Sequence, residues 1–173
     1  MMVSEEHRMA RWYAVYTSAR HEKQIAKQLG QRNIVHFCPL QDCLHVWNNR
    51  KVKVQLPFFP NYLFVNFAYC DRMPVLQIPG VVRVVCSGTE PIAVPDEQIL
   101  ALRKVLEYGL PIESEELMEV GSAVRIRRGP LEGTRGLLVR TKGKYRLVIS
   151  VKAIMRSFAI EIDRNDVRPF ESN

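Results

Sequence analysis

The run PFFPNYLFVNF, residues 57–67, constrains the fold more than any other part of the chain. Pro57 and Pro60 lack N–H donors, so they belong before a strand or at its start. From Asn61 the side chains alternate: Tyr62 and Phe64 point one way, and Leu63, Val65 and Phe67 point the other. Both faces are apolar, as in a central strand covered on two sides. Helices in a small two-layer domain cover one face of a sheet. The aromatic face then needs a second cover, supplied by the chain's own core, by a second domain or by a partner.

The strands and helices around this run follow from pattern. Residues 12–17, WYAVYT, are aromatic and β-branched and read as a strand. Thr17 or Ser18 is the expected cap of a helix that runs to about Arg32, with Glu22 in its first turn and Ile25, Ala26 and Leu29 on its buried stripe. Arg20, Lys23 and Lys27 form a basic face of this helix; His21, Gln24, Gln28 and Gln31 lie beside it. Such a face is solvated or tracks a phosphate backbone. Residues 33–40 read as a short strand, and residues 43–47 and 51–56 as two strands around an Asn48-Asn49-Arg50 turn. A short helix at 68–77, strands at 81–86 and 92–94, and a helix from Pro95 to about Tyr108 complete a mixed α+β unit.

The acidic stretch from Gly109 reads as a linker over 109–120. Beyond it the apolar period becomes 2. Val124/Ile126, Leu137/Val139, Leu147/Ile149/Val151 and Phe158/Ile160/Ile162 mark four short strands, with 167–170 as a fifth candidate. Strands this short and this close describe a small SH3-like or OB-like barrel.

Charge separates the same two parts. Residues 1–119 carry 13 Lys/Arg and 13 Asp/Glu, whereas residues 120–173 carry 12 against 5, the whole of the +7 net charge. A basic C-terminal third suggests an anionic partner, against the plain alternative of a solvated basic surface. No apolar run approaches the roughly 20 residues of a membrane helix. Residues 1–11 are polar and lack the apolar core of a signal peptide, so the chain is expected in the cytoplasm, with no membrane partner.

Residues 124–139, VRIRRGPLEGTRGLLV, match the KOW motif: a strand, a Gly129-Pro130 turn, Gly133 and Gly136, then a second strand. Before it, WYAVYT, PFFPNYLFV, PGVVRVV and PIAVPDEQI stand in the order found in NusG-type N-terminal domains. The chain therefore resembles the NusG family of transcription elongation and antitermination factors over about residues 11–170. Among its members it looks most similar to the specialised RfaH-like or polysaccharide-operon branch, through ARHEK, FPNYLF and the RLVISV…RSFAIEID ending. The resemblance implies an α+β N-terminal domain over 11–108, the linker at 109–120, and an SH3-like KOW barrel over 121–170. It implies that the N-terminal domain grips the clamp helices of RNA polymerase and suppresses pausing. The matching residues are Tyr16, Phe59, Pro60, Tyr62 and Phe64. Contacts to non-template DNA map to Ser18, Ala19, Arg20, His21 and Gln24, with Lys23 on the same face. The KOW unit would recruit Rho, a small-subunit ribosomal protein or nascent RNA through Arg125, Arg127, Arg128, Gly129, Gly133, Arg135 and Gly136.

Other chemistry is poorly supplied. His36, Cys38, Cys43 and His45 form an H-x-C-x4-C-x-H run, but the spacing is not a common zinc pattern, and no metal or other cofactor is expected. No phosphate loop, His-Glu-x-x-His or nucleophile elbow is present, so the chain reads as a non-enzyme. A ribosome-associated RNA-binding KOW protein is the alternative, but it leaves the aromatic face unexplained. A fragment of residues 121–170 should fold alone into an all-β unit. A far-ultraviolet circular dichroism spectrum dominated by helix would contradict the period-2 reading.

Overall fold

The computed structural model describes residues 5–47, 50–116, 121–141 and 143–170, apart from the side chains of Glu6, His45, Trp47, Glu115, Glu116 and Thr141. Asn48 and Asn49 of the expected hairpin turn, and 117–120 of the expected linker, lie outside the described residues. In chain order the elements are β1 (Ala10–Thr17), α1 (Glu22–Gln31), β2 (His36–Phe37), β3 (Leu40–Trp47), β4 (Arg50–Pro57) and β5 (Tyr62–Ala68). There follow α2 (Met73–Leu76), β6 (Val81–Val84), β7 (Cys86–Ser87), β8 (Glu90–Pro91), β9 (Ala93–Val94) and α3 (Asp96–Glu107). The chain ends in β10 (Ile112–Glu116), β11 (Ser122–Ile126), β12 (Arg135–Thr141), β13 (Lys144–Val151), β14 (Arg156–Glu161) and β15 (Val167–Pro169). Contacts divide it into two compact units, with the division between Ala93 and Val94.

The first unit is built on an antiparallel sheet whose main path is β2-β5-β1-β6. In the β1–β5 register, Tyr13 pairs with Val65 and Val15 with Leu63 on one face; Ala14 pairs with Phe64 and Tyr16 with Tyr62 on the other. The first face carries the core. Tyr13, Val15, Leu63, Val65 and Phe67 bury against Ile25 and Leu29 of α1 and against Val75, Ile78 and Val84. Each such side chain contributes about 1.5–3 kcal/mol by leaving water. β3 and β4 form a separate two-stranded ribbon, longer at both ends than the alternation predicts.

Helix α1 starts later than expected. Its cap is His21, without a side-chain cap bond, rather than Thr17 or Ser18. Arg20 sits in the left-handed region (φ 64°) and the His21 amide donates to the Ser18 carbonyl, so a turn intervenes between strand and helix. The strand expected over 33–40 shrinks to His36–Phe37, and the helix expected over 68–77 to Met73–Leu76, after a 3-10 turn at Tyr69–Asp71. Pro74 enters α2 near its start, where a missing N–H costs least.

In the second unit, α3 buries Ile99, Ala101, Leu102 and Val105 and contacts β13. The six-stranded sheet runs β10-β14-β13-β12-β11-β15. This pairing is an open path with β10 and β15 at its edges, where the sequence suggests a closed barrel. The acidic stretch expected as linker supplies β10, which pairs antiparallel with β14 from Ile112↔Ile160 to Glu116↔Arg156. Glu113 also pairs with Arg146 at 2.6 Å. Alternation explains this correction: Ile112 and Ser114 fall opposite Ile160 and Phe158, so a run read as acidic connector has strand period.

Asn61 joins the ends of β1 and β5. It has φ 68°, a left-handed conformation that Asn tolerates better than most residues. Its side-chain amide donates to the Thr17 carbonyl at 3.3 Å. Asn61→Ala should lower stability by about 1–2 kcal/mol, and Asn61→Gly by less, because glycine relieves the backbone while losing the same bond. Urea unfolding checks the order of the two variants.

Candidate functional site

The aromatic residues expected on one face of β5 do come together. The Tyr16 and Tyr62 rings lie 5.3 Å apart with planes at 59°. Phe58 meets Phe59 edge-on at 4.7 Å, Phe59 meets Phe64 edge-on at 6.4 Å, and Phe37 stacks on Phe64 at 6.3 Å. Tilted and edge contacts of this kind place the positive rim of one ring against the negative face of the next. Exposure divides the set. Phe64 and Phe59 are 0% and 2% exposed, whereas Tyr16 and Tyr62 are half-buried and Pro60 is exposed. Of the residues matched to the polymerase contact, Phe59 and Phe64 are therefore corrected from partner-facing to buried, and Phe64 is the more deeply enclosed. Neighbours from the same unit, Phe37 and Phe59, flank its ring, and the accessible part of the cluster is Tyr16, Pro60 and Tyr62.

Two residues at this edge were not singled out from the sequence. Arg83 of β6 lies over the Tyr16 ring at 5.6 Å and places a cation beside the tyrosine pair. Its signal was in PGVVRVV, where an arginine interrupts an apolar strand. Glu22 is only 3% exposed, and its carboxylate accepts the Asn61 amide N–H at 2.7 Å. The first turn of α1 thereby fixes the turn that presents Pro60 and Tyr62.

The expected nucleic-acid residues lie on the connection from β1 into α1. Arg20, His21, Lys23 and Gln24 are all exposed, apart from the His21 ring, which packs against Gly80. A methyl group at Gly80 would sit 3.0 Å from His21 Cβ, so only glycine gives this ring room. His21 Nδ1 lies 2.9 Å from the Ala19 carbonyl; a carbonyl only accepts, so this nitrogen donates. The Ser18 amide donates to the Gly80 carbonyl at 2.8 Å, which ties this turn to the loop before β6.

The residues matched to the KOW motif in the sequence separate into turn and surface. Gly129 and Gly133 have φ of 93° and 85°, and the Glu132 amide donates to the Gly129 carbonyl within the turn. Gly136 is needed for space: a Cβ there would meet the Val148 carbonyl oxygen at 2.6 Å. Arg128 pairs with Asp166, and Arg127 is exposed. Arg125 and Arg135 converge on the Phe170 ring, at 5.0 and 4.3 Å.

The His/Cys run does not assemble. Among the described residues no three His, Cys, Asp or Glu groups lie close enough to hold a metal; the His45 side chain lies outside them. His36 Nδ1 lies 2.9 Å from the Ile34 carbonyl. Burial pushes the Cys38 thiol up to about 11; the Glu22 carboxylate adds to the rise and Lys23 opposes it. No helix among the described residues is long and apolar enough to cross a membrane.

Comparison with known proteins identifies the chain's relatives. Residues 10–103 match the family model NusG, "Transcription termination factor nusG". The transcription termination/antitermination protein NusG of Staphylococcus carnosus (strain TM300) is 28% identical over 181 residues, covering 95% of this chain and 98% of that one. NusG of Escherichia coli (strain K12) is 23% identical over 171 residues, with 91% and 94% covered. These are names of transcription factors, not enzymes. Among solved structures, one described as "Domain interaction in Thermotoga maritima NusG" matches with a TM-score of 0.51 at 19% identity, over 95% of this chain and 99% of that one. It shares the mixed α/β fold.

Cys38 offers a check on the interior beside Glu22. The thiolate is the reactive form, so a pKa of about 11 against an ordinary 9.0 cuts its fraction near pH 8 by about a hundredfold. Peptide-resolved alkylation should find Cys38 slow in the native chain and fast in urea. The shift also stabilises the fold fully below pH 9.0, and that contribution is lost as pH rises through about 11. A Cys38→Ala variant should lack this part of the alkaline stability loss.

Proposed function

Because the chain belongs to the NusG family of transcription termination factors, we propose that it acts during transcription elongation by binding RNA polymerase through its N-terminal unit. The observation that carries this reading is the half-exposed Tyr16–Tyr62 pair, bordered by exposed Pro60 and by Arg83. Large amphipathic rings held rigidly at a surface make interface anchors at little entropic cost. Phe59 and Phe64 lie behind them as buried support. The partner surface is the pair of clamp helices, whose apolar side chains would pack on the tyrosines. Binding there suppresses pausing or termination.

The exposed row Arg20, Lys23 and Gln24, with His21 beside it, would meet non-template DNA. The second unit carries the KOW function, recruiting a further partner such as Rho, a small-subunit ribosomal protein or nascent RNA. On this reading the first unit together with α3, residues 11–108, acts as the polymerase-binding domain, and residues 121–170 act as an SH3-like KOW domain, in the cytoplasm. Asn61 in FPNYLF supports assignment to the RfaH-like, polysaccharide-operon branch. Its side chain bonds to Thr17 where a glycine has none to offer.

The test is binding to RNA polymerase core enzyme alongside thermal melting. Tyr62→Ala should weaken binding by about 2 kcal/mol, roughly thirtyfold, with little change in melting temperature. Phe64→Ala should instead lower the melting temperature, because its ring is buried. Undiminished polymerase binding by Tyr62→Ala would remove the tyrosine pair from the interface.

A further inference from the structure

One cation stands alone at the aromatic edge of the first unit. Arg83 on β6 is directly opposite Tyr16 on β1, which is directly opposite Tyr62 on β5. Directly opposed residues share a face of a sheet, so Tyr62, Tyr16 and Arg83 form one row across three adjacent strands. A bulge places the arginine there. Thr17 is opposite Val81 and Tyr16 is opposite Arg83, so Val82 is the extra residue of β6. Counted on from Thr17 and Val81 without it, Arg83 would fall opposite Val15, which is buried in the core. The bulge instead turns the cation to the tyrosine face.

Its surroundings are apolar. Along the chain Arg83 is flanked by Val81, Val82, Val84 and Val85, and across the sheet by the two tyrosines. The side chain is exposed, and no ion pair among the described residues includes it. Its guanidinium carbon lies over the Tyr16 ring, 5.6 Å from the centre. Contact with a ring occupies a face of the guanidinium. The N–H groups lie in the guanidinium plane and point out at its edge, where they donate in pairs to a carboxylate.

We infer that Arg83 selects the partner of the tyrosine face by pairing with a single carboxylate, an Asp or Glu side chain that projects from an otherwise apolar surface of the polymerase clamp helices. A lone cation among valines and tyrosines matches a lone anion among apolar side chains. A phosphodiester backbone repeats its charge and is met by several cations, whereas this row holds one. Apolar cover from both partners excludes water from the pair and strengthens it. A surface without the carboxylate would leave a desolvated guanidinium unpaired, and that cost is the source of selectivity. The tyrosines supply affinity, and Arg83 supplies register and choice of partner. This inference rests on the proposed polymerase contact and names the chemistry of the surface that Tyr16 and Tyr62 meet.

The experiment measures binding of the full chain to RNA polymerase core enzyme free of nucleic acid, from about 50 to about 300 mM salt, with thermal melting of each variant. Arg83→Gln should weaken binding about tenfold at the lowest salt, and the deficit should shrink as salt rises. Arg83→Glu, of the same size as the Gln variant, should bind worse still through repulsion, and Arg83→Lys should fall between the parent and Arg83→Gln. Because the side chain is exposed, all three should keep the parent's melting temperature. Polymerases in which one clamp-helix Asp or Glu is replaced by Lys are then tested in turn against Arg83→Glu, and one of them should restore binding. Equal binding by Arg83→Gln and the parent, equal binding by the Gln and Glu variants, or restoration by none of the replacements would overturn the inference. So would a deficit that emerges only after DNA or RNA is added, which makes the acceptor a phosphate. Tyr62→Ala separates the two readings and should weaken binding equally at every salt concentration. Full binding by Tyr62→Ala overturns the function proposed above. Weakened binding by Tyr62→Ala beside unchanged binding by Arg83→Gln overturns this inference alone.

Discussion

A buried carboxylate holds the first unit in register. Glu22 opens α1, yet its side chain turns inward and accepts the amide of Asn61, the residue before β5. A carboxylate removed from water is costly unless it is hydrogen-bonded, and a backbone N–H bonded to a charged acceptor contributes more than a neutral pair, about 1.5–3 kcal/mol. Asn61 passes the constraint on: its carbonyl accepts from the Thr17 amide at 2.9 Å and its side chain donates to the Thr17 carbonyl. One node thus ties helix α1, the end of β1 and the start of β5. The opposition of Tyr16 to Tyr62 follows from it, and so does the placement of the basic turn that begins at Ser18.

Much of this was legible because periodicity is a local property. The alternation in residues 62–67 assigned Leu63, Val65 and Phe67 to the core face, and Ile25 and Leu29 stood out on α1. What escaped depends on partners distant in sequence. Glu22 looked like a first-turn charge favourable to the helix dipole; its bond lies 39 residues away. The delayed start of α1 depends on a left-handed Arg20, which no propensity favours. Phe64 alternates as an outward residue, and its burial comes from Phe37 and Phe59, whose side chains no strand pattern places.

The second unit shows the same limit in another form. Its turn glycines were readable as turn residues, but the need for Gly136 is a non-local fact, the close passage of the Val148 carbonyl. Arg125 and Arg135 were visible as arginines flanking a turn. Arg168 and Phe170 were not singled out, because only the β11–β15 pairing sets them beside Arg125. Register converts scattered cations into a row, and register is fixed by side chains on the opposite face of each strand.

The pairing of β10 with β14 changes the mechanical reach of the connection between α3 and the rest of the sheet. As a free chain, residues 108–121 between α3 and β11 would extend to roughly 48 Å at about 3.4 Å per residue. With β10 zipped onto β14, the unpaired run after α3 is residues 108–111, roughly 14 Å at full stretch. The entropic cost of closing a loop grows with its length, so five paired residues at a sheet edge lower the cost of holding α3 against β13.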